Sequence, residues 1–446
     1  MGEKLSDVLA RFVKNTKLED IPPETILFTK ELALKTLAGM IAGSQLEGGV
    51  PLVNYAKSVG GTPDAGVIGS KFKSSIESSI LANGHFAHVA ELEDDQFPSA
   101  ASDITVFPVS FPMAQKYKVS GKAFVEANAV AHEVMCRIGM FSLSHQGITD
   151  LPYYGVIGAA VVAAKLLNLS EDQIKNAIGI SIGRAAGFIT NFGTDAHYCE
   201  SSMACRDGYF AALMAQQGLT GTWDIEGWLK KVHGREDLPV SRVTEGLGTS
   251  RWHIHNIWIK KYPCCFLTHR QNDMLIAMKK KYGLTPDNIE KIEFEVGPID
   301  VTCDRPSPKD IEDSRFSYQH IAAGIIIDGD LNYETFTNQK ISDHTFKKVR
   351  EKVKVIHRND WTREFNSGVA TVKVTLMDGR VLKDSAEQAI GGSKRPLTED
   401  HFIDLYRKYS SRFLKESEMN ESADIIMSLE KQQDLQRLMD VSTNGK

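Results

Sequence analysis

Hydrophobic spacing in this chain changes period twice, near residue 250 and again near residue 397. Before the first change, apolar residues recur every three or four positions, as on a helix packed along one face. "PETILFTKELALKTLAGMIAGS" runs this way and ends at Gly43, and "SGKAFVEANAVAHEVMCRIGMF" repeats it from Ser120. "GVIGAAVVAAKLLNLSEDQIKNAIGISIGRAAGFI" reads as two helices split at "NLSED", where Ser170 can cap the second and acids suit its first turn. "RDGYFAALMAQQGLTG" is a further helix closed by Gly218, and the dense Ala and Gly suit closely packed helices. After residue 250 the spacing becomes strand-like in "RWHIHNIWIKKYP" and "IEKIEFEVGPIDVTC". "ATVKVTLMDGRVLKDS" predicts a hairpin with a type I′ turn at Asp378-Gly379. "SRFSYQHIAAGIIID" and "DHTFKKVREKV" read as helices between the strands, and helical spacing returns in "TEDHFIDLYRKYSSRFL" and "ESADIIMSLEKQQDLQRLMD". The expected fold is mainly α: a large all-helical domain of residues 1–255 plus 397–446, with an inserted smaller α/β domain of residues 256–396.

Other classes are excluded by composition. A chain of 446 residues is too long for one ordinary core, which agrees with two domains. The net charge of −5 gives no basic surplus for nucleic acid or an anionic membrane. The longest apolar run, "GVIGAAVVAA", stops at Lys165, well short of a membrane span. "MGEKLSDVLARF" carries charges through its first turns, unlike a signal peptide. The six cysteines form no CxxC pair and no zinc-finger spacing with histidine, so they read as reduced thiols of a cytoplasmic protein.

One stretch carries the chemistry. "ILANGHFAHVAELEDDQFPSAASD", residues 80–103, places two histidines and four acids within eleven residues. Laid on a helix over residues 81–95, His88, Glu91 and Asp95 fall within about 60° of one another, with His85 and Asp94 nearer the edges. One histidine and two carboxylates on a stripe could be three metal ligands or a proton-transfer set, and a solvated helix end is the plain alternative.

"NGHFAHVAELEDD" resembles the "NGxxAHxxDxDD" signature of the MmgE/PrpD family, the group containing 2-methylcitrate dehydratase, cis-aconitate decarboxylase and iminodisuccinate epimerase. Further landmarks follow in the family's order: "YYGVIGAAVVAAKLLNL", "AIGISIGRAAGF", "GYFAALMAQQGLTG", "KKYPCCFLTH", and "DRPSP" followed by "RFSYQHIAAGIIIDG". Together they run from about residue 30 to 400. The resemblance implies a homodimer of helical domains carrying α/β lids. It also implies cofactor-independent proton abstraction next to a carboxylate, followed by dehydration, decarboxylation or epimerisation of a small carboxylic acid. No metal is assigned.

Carried over position by position, the family's pocket acid falls on Glu91, and the residue after the acid pair, often Thr, falls on Asp95. Relatives carry a catalytic His in the loop that follows. Here "PSAASDITVFP" has none; Ala101 stands near that position, with Ser102 and Asp103 as polar neighbours. The second pocket His falls on Thr149, with His145 nearby. In "GTDAHYCESS", His197 takes the place of a carboxylate-binding Lys, and Glu200 that of a His. Lys260 matches a carboxylate-binding Lys, Cys265 a His-or-Cys position, His269 the family's "TH", and His320 a Tyr. His197 is the first acid/base candidate, with Glu200 as partner and Glu91 or Asp95 as the second proton-transfer group, and His320 is a further catalytic candidate that could donate to the substrate. Lys260 is the expected carboxylate anchor, with Thr149, Cys265, His269 and Arg184 as further substrate contacts; Arg206 is another spare cation.

Each assignment has a plain structural alternative: a bonded loop histidine at His197, a solvated lysine at Lys260, a helix cap at His320, a small buried filler at Cys265. His253 and His255 alone do not make a metal site. The altered pocket argues against 2-methylcitrate and cis-aconitate as substrates. The competing readings are a metal-dependent hydro-lyase using His85, His88, Glu91 and Asp95, and a non-catalytic carboxylate-binding dimer.

Overall fold

The computed structural model describes residues 3–443 apart from positions 98, 100, 250 and 412. It is 58% helix and 9% strand, a mainly α protein. The chain divides into two compact bodies. The first comprises Met1–Ile189, Tyr198–Ile257 and Thr398–Lys446; the second comprises Thr190–His197 and Trp258–Leu397. Residues 190–197, read from the sequence as part of the helical domain, thus belong to the second body.

The first body is built from α1 (Leu5–Asn15), α2 (Pro23–Gly43), α3 (Val50–Val59), α4 (Ile76–Val89), α5 (Phe107–Tyr117), α6 (Gly121–Ile138), α7 (Asp150–Leu166), α8 (Glu171–Ile182), most of α9 (Asp195–Gln216) and α10 (Ile225–His233). The helices α2, α4, α6 and α7 are mostly buried along their length, which explains their near-continuous apolar sequences. Small residues permit the closeness. A Cβ on Gly208 of α9 would lie 2.4 Å from Ala159 Cβ of α7, and one on Gly84 of α4 would lie 2.9 Å from Cys205 Sγ of α9. Capping follows sequence: Ser75, Ser120 and Ser170 each accept the backbone N–H three residues on. A short hairpin, β1 (Ala65–Val67) and β2 (Phe72–Ser74), is held by Asn83 of α4, which accepts from Ile68 N at 2.9 Å and donates to Gly66 O at 3.3 Å.

The second body centres on a four-stranded sheet in the order β4-β3-β5-β6, formed by β3 (Ile289–Val296), β4 (Val353–His357), β5 (Ala370–Leu376) and β6 (Val381–Ala386). β3 and β4 are parallel, joined through α12 (Ile311–Arg315), α13 (Tyr318–Asp328), α14 (Asn338–Ser342) and α15 (His344–Arg350); the other pairs are antiparallel. Ile292, Phe294, Val372 and Val374 are buried, and Phe294 meets Tyr318 of α13 at 5.7 Å. On the opposite face Glu293 pairs with Lys291 and Lys373. The hairpin turn departs from type I′. Only Gly379 has positive φ, at 85°, and Gly379 N donates to Leu376 O, so Met377 and Asp378 form an ordinary turn with Gly379 in the left-handed position. The body also holds α11 (His269–Tyr282); the chain then returns to the first body as α16 (Glu399–Ser410), α17 (Glu416–Met427) and α18 (Gln436–Thr443). "RWHIHNIWIKKYP" forms a 3-10 turn over His253–Asn256 and only a two-residue strand.

Candidate active site

The acid-rich stretch is a turn, not a helix. α4 stops at Val89, and Glu91 takes the left-handed conformation at φ 52° with its N–H on His88 O at 2.8 Å. That conformation costs a non-glycine residue about 1–2 kcal/mol, so the surrounding structure must hold it. The expected single stripe of His88, Glu91 and Asp95 along a helix is therefore wrong in its geometry. His88, Glu91 and Glu93 are brought together instead, all buried, each offering a ligand-type atom within 4.8 Å of the others. Asp95 begins a two-residue strand and bridges Ser102 across the loop, while Gln96 N donates to Ala101 O. His85 turns elsewhere, to Gly48 O at 2.9 Å.

A buried framework fixes the turn. Lys35 of α2 is fully buried and reaches Leu92 O and Asp94 Oδ1, each at 2.5 Å. Asp103 Oδ1 accepts from Asp94 N at 2.9 Å and from Ser102 at 3.3 Å, and its other oxygen accepts from Thr36. Burial pushes the Asp103 carboxyl up, opposed by Lys35. Residues 92 and 94 are thereby pinned on either side of Glu93. Asp103 is a structural acid here, and Ala101, near the absent loop histidine, is buried against Gly139. His88 Nδ1 meets Ser201 Oγ of α9 at 2.8 Å, and its ring stands edge-on to Tyr198 at 5.1 Å.

Thr149 caps α7 by position, but its buried hydroxyl has no protein partner; its N–H donates to Gly187 O at 3.2 Å. Glu200 Oε1 accepts from Phe188 N at 3.0 Å, which ties the 185–189 segment to α9. Arg184 is largely exposed and bonds Asp207 at 2.8 Å, as does Arg206 at 2.7 Å.

In the second body, His197 is buried with its ring 4.7 Å from Phe192 and 6.4 Å from Phe316. Arg305 of "DRPSP" holds this segment through Phe192 O at 3.2 Å, while also pairing with Asp313 at 2.7 Å. Lys260 is fully buried, so it is not the solvated surface lysine of the plain reading. Its neighbour Lys261 pairs with Asp273 at 2.7 Å. Cys265 is buried; its N–H donates to Arg315 O, and its thiol adds to the burial that raises the Cys303 thiol. His269 is buried, stacked on Phe266 at 4.8 Å with Nε2 at Cys264 O. His320 lies in the core, with Nε2 on Thr335 O at 3.0 Å and Nδ1 beside Arg350 at 3.3 Å. Burial lowers its pKa to about 4. Both ring nitrogens of His320, a catalytic candidate by the resemblance, thus meet groups inside the body, and the plain alternative of a helix cap falls to Ser317.

The sequence reading missed Glu93, Lys35 and Ser201. Lys35 had a signal, a charge inside the otherwise apolar "LALKTLAGM"; Ser201 had none.

The buried histidine and carboxylates of the acid-rich turn are side chains of the kind that can carry proton transfer. The MmgE/PrpD N-terminal domain profile matches residues 7–234 and the C-terminal domain profile matches residues 262–431. The chain belongs to the MmgE/PrpD family. It is 23% identical to cis-aconitate decarboxylase of Mus musculus over 97% of this chain and 92% of that protein. It is 24% identical to cis-aconitate decarboxylase of Aspergillus terreus over 97% and 94%, and 25% identical to a cis-aconitate decarboxylase-like protein of Aspergillus oryzae over 97% and 95%. These relationships support a lyase-type enzyme of the dehydratase or decarboxylase kind. No described helix is long and apolar enough to cross a membrane.

Proposed function

We propose that this chain abstracts a proton next to a carboxylate of a small carboxylic acid less anionic than citrate, and so acts as a dehydratase, decarboxylase or epimerase. The observation that carries this reading is the pinned acidic turn. By the resemblance, Glu91 and Asp95 correspond to the family's pocket positions, and both are buried; by the same correspondence the following loop lacks the family's histidine and His197 stands where relatives carry a substrate-binding lysine. Fewer fixed cations and more buried acids disfavour a tricarboxylate. Each charged contact is worth about 1.5–3 kcal/mol, so losing two weakens such a substrate tenfold or more. His197 is the first proton-transfer candidate and Asp95 the carboxylate candidate; Lys260 anchors a carboxylate, with Thr149, whose hydroxyl is available, as a further contact. The proposed assembly is a cytoplasmic homodimer. Met203 and Phe210 support it, standing one above the other on α9 at 49% and 46% exposure.

A thermal-shift screen of mono-, di- and tricarboxylates, followed by NMR in D₂O, tests the reading. Solvent exchange at a substrate C–H is expected with a mono- or dicarboxylate. Preference for cis-aconitate or 2-methylcitrate would overturn the substrate assignment. His197→Ala should lower turnover about 100-fold or more if the imidazole moves the proton; a near-wild-type rate removes it from the mechanism.

A further inference from the structure

We propose that Arg305 is a positioning residue: through Phe192 and Phe316 it fixes the plane in which the His197 imidazole stands. The inference rests on the reading of His197 as the proton-transfer group and deepens it. It also gives a task to "DRPSP" and "RFSYQ", segments of the family resemblance that the proposed chemistry has not used.

Three rings meet in the second body. Phe192 stands 4.7 Å from His197 and 5.8 Å from Phe316, and Phe316 meets His197 edge-on at 6.4 Å. Rings at these separations attract, and edge-to-face contact is one of their preferred arrangements. His197 and Phe316 are both buried. The outer torsion of a histidine side chain is intrinsically broad. Two neighbouring rings inclined to the imidazole at 52° and 75° narrow it.

Arg305 holds both of those rings. Its Nη2 donates to Phe192 O at 3.2 Å, and its guanidinium carbon lies 5.3 Å from the centre of the Phe316 ring, within cation–π range. The guanidinium is itself fixed from two further directions. Nε donates to Thr302 O at 2.9 Å, and Nη1 donates to Asp313 at 2.7 Å. The Arg305 backbone is fixed as well: its N–H donates to Gln319 Oε1 at 3.1 Å, and its carbonyl accepts from Ser317 Oγ at 2.5 Å. Phe316, Ser317 and Gln319 all belong to "RFSYQ", so that segment supplies the ring under the guanidinium and the two bonds to its backbone. Gly193 leaves room for the contact, since a Cβ there would lie 2.3 Å from Arg305 Nη1.

Only arginine meets these demands together. Directed N–H groups on three nitrogens and a flat face over a ring are in use at once, whereas an ammonium offers a point charge and no face. The effect on the reaction runs through His197. Proton transfer needs the imidazole within reach of the proton it moves, and a misplacement of about 1 Å can cost about 100-fold in rate.

The test uses full-length protein carrying ¹³C at histidine Cε1, and the mono- or dicarboxylate selected by exchange in D₂O. The His197 signal is the one missing from His197→Ala. In the wild type, the Phe192 and Phe316 rings should displace it from the position of exposed histidines. In Arg305→Lys and in Phe316→Leu it should move back toward that position, and kcat should fall about 10–100-fold with KM within about twofold. Neither change should slow the enzyme much further once His197 is alanine, because residues acting as a unit are not additive. Phe316→Leu keeps the test decisive should Arg305→Lys fail to fold. An unmoved His197 signal in both variants overturns the proposal. So does a loss of rate in the His197→Ala background equal to that in the wild type. Wild-type turnover in Arg305→Lys, where His197→Ala is slow, would show that charge alone suffices and overturns it as well. A near-wild-type rate in His197→Ala removes the proton-transfer reading instead; a moved signal then still supports the cradle, and an unmoved one still overturns it.

Discussion

Lys35 and Asp94 are both fully buried and pair at 2.5 Å. Removing one partner from such a pair typically costs about 3–5 kcal/mol, because the remaining charge stays buried. Lys35→Met is expected to lose that much in urea denaturation, and replacing both residues by apolar ones should recover most of it. A loss under about 1 kcal/mol for Lys35→Met would show that the ammonium is not what holds the turn. Glu91 permits a cleaner comparison. Gly and Ala both delete its carboxylate, but only Gly tolerates φ 52°, so Glu91→Gly should be more stable than Glu91→Ala by about 1 kcal/mol. Equal stabilities would mean that the turn relaxes. At this scale the sequence was partly legible. "NGHFAH" drew attention to the segment where a buried histidine and carboxylates meet, yet nothing near residue 90 resembles a helix stop: there is no Gly, Asn or Pro there. Helical periodicity therefore ran on to Asp95, because the bonds that end the helix come from α2 and from the loop after it. Glu93 was overlooked for the same reason, since on an ideal helix it faces away from His88.

Among elements, local signals performed best where local chemistry decides. Serine caps, the helix closed by Gly218 and the alternation of β3 and β5 depend on nearby residues, and the chain forms them where the sequence indicates. The 190–197 segment does not depend on nearby residues. It joins the second body through Arg305, more than a hundred positions away, and no spacing rule reveals such a contact. Gly193 carries φ 78°, and a Cβ there would lie 2.3 Å from Arg305 Nη1. Gly193→Ala and Arg305→Ala should therefore both speed hydrogen exchange across residues 190–197 and lower turnover through His197, with little change at α4. Unchanged protection of this segment in Arg305→Ala would show that the guanidinium does not anchor it.

For the molecule as a whole, buried titratable groups set the pH range of stability. Burial holds His132, His253 and His320 near 4. Between pH 6.5 and 4 the unfolded chain takes up protons that the native chain refuses, so stability falls as pH falls through this window. Glu31 acts in the opposite direction. Burial, with Glu399 adding to it, raises Glu31 to about 7. The native state then keeps a proton that the unfolded state releases above its ordinary carboxyl pKa, and this contribution is lost as pH rises from about 4.5 to 7. Glu31→Gln should thus gain about 1–2 kcal/mol at pH 8 and nothing at pH 4; a gain at both would trace to packing instead. The expectation of two domains came from the period of hydrophobicity, which changes with the type of core, and the chain divides into two compact bodies at Ile257 and Thr398. The eight-residue excursion at 190–197 lay outside that signal.

That excursion also orders events in time. Gly193 leaves the ribosome 112 residues before Arg305, its partner. At roughly 5–20 residues per second, the segment waits about 6–22 s for the arginine that will hold it. Meanwhile the helix that begins at Asp195 is already free to pack against α7. A nascent chain arrested between these points should display the 190–197 segment to protease, and one arrested well past Arg305 should not.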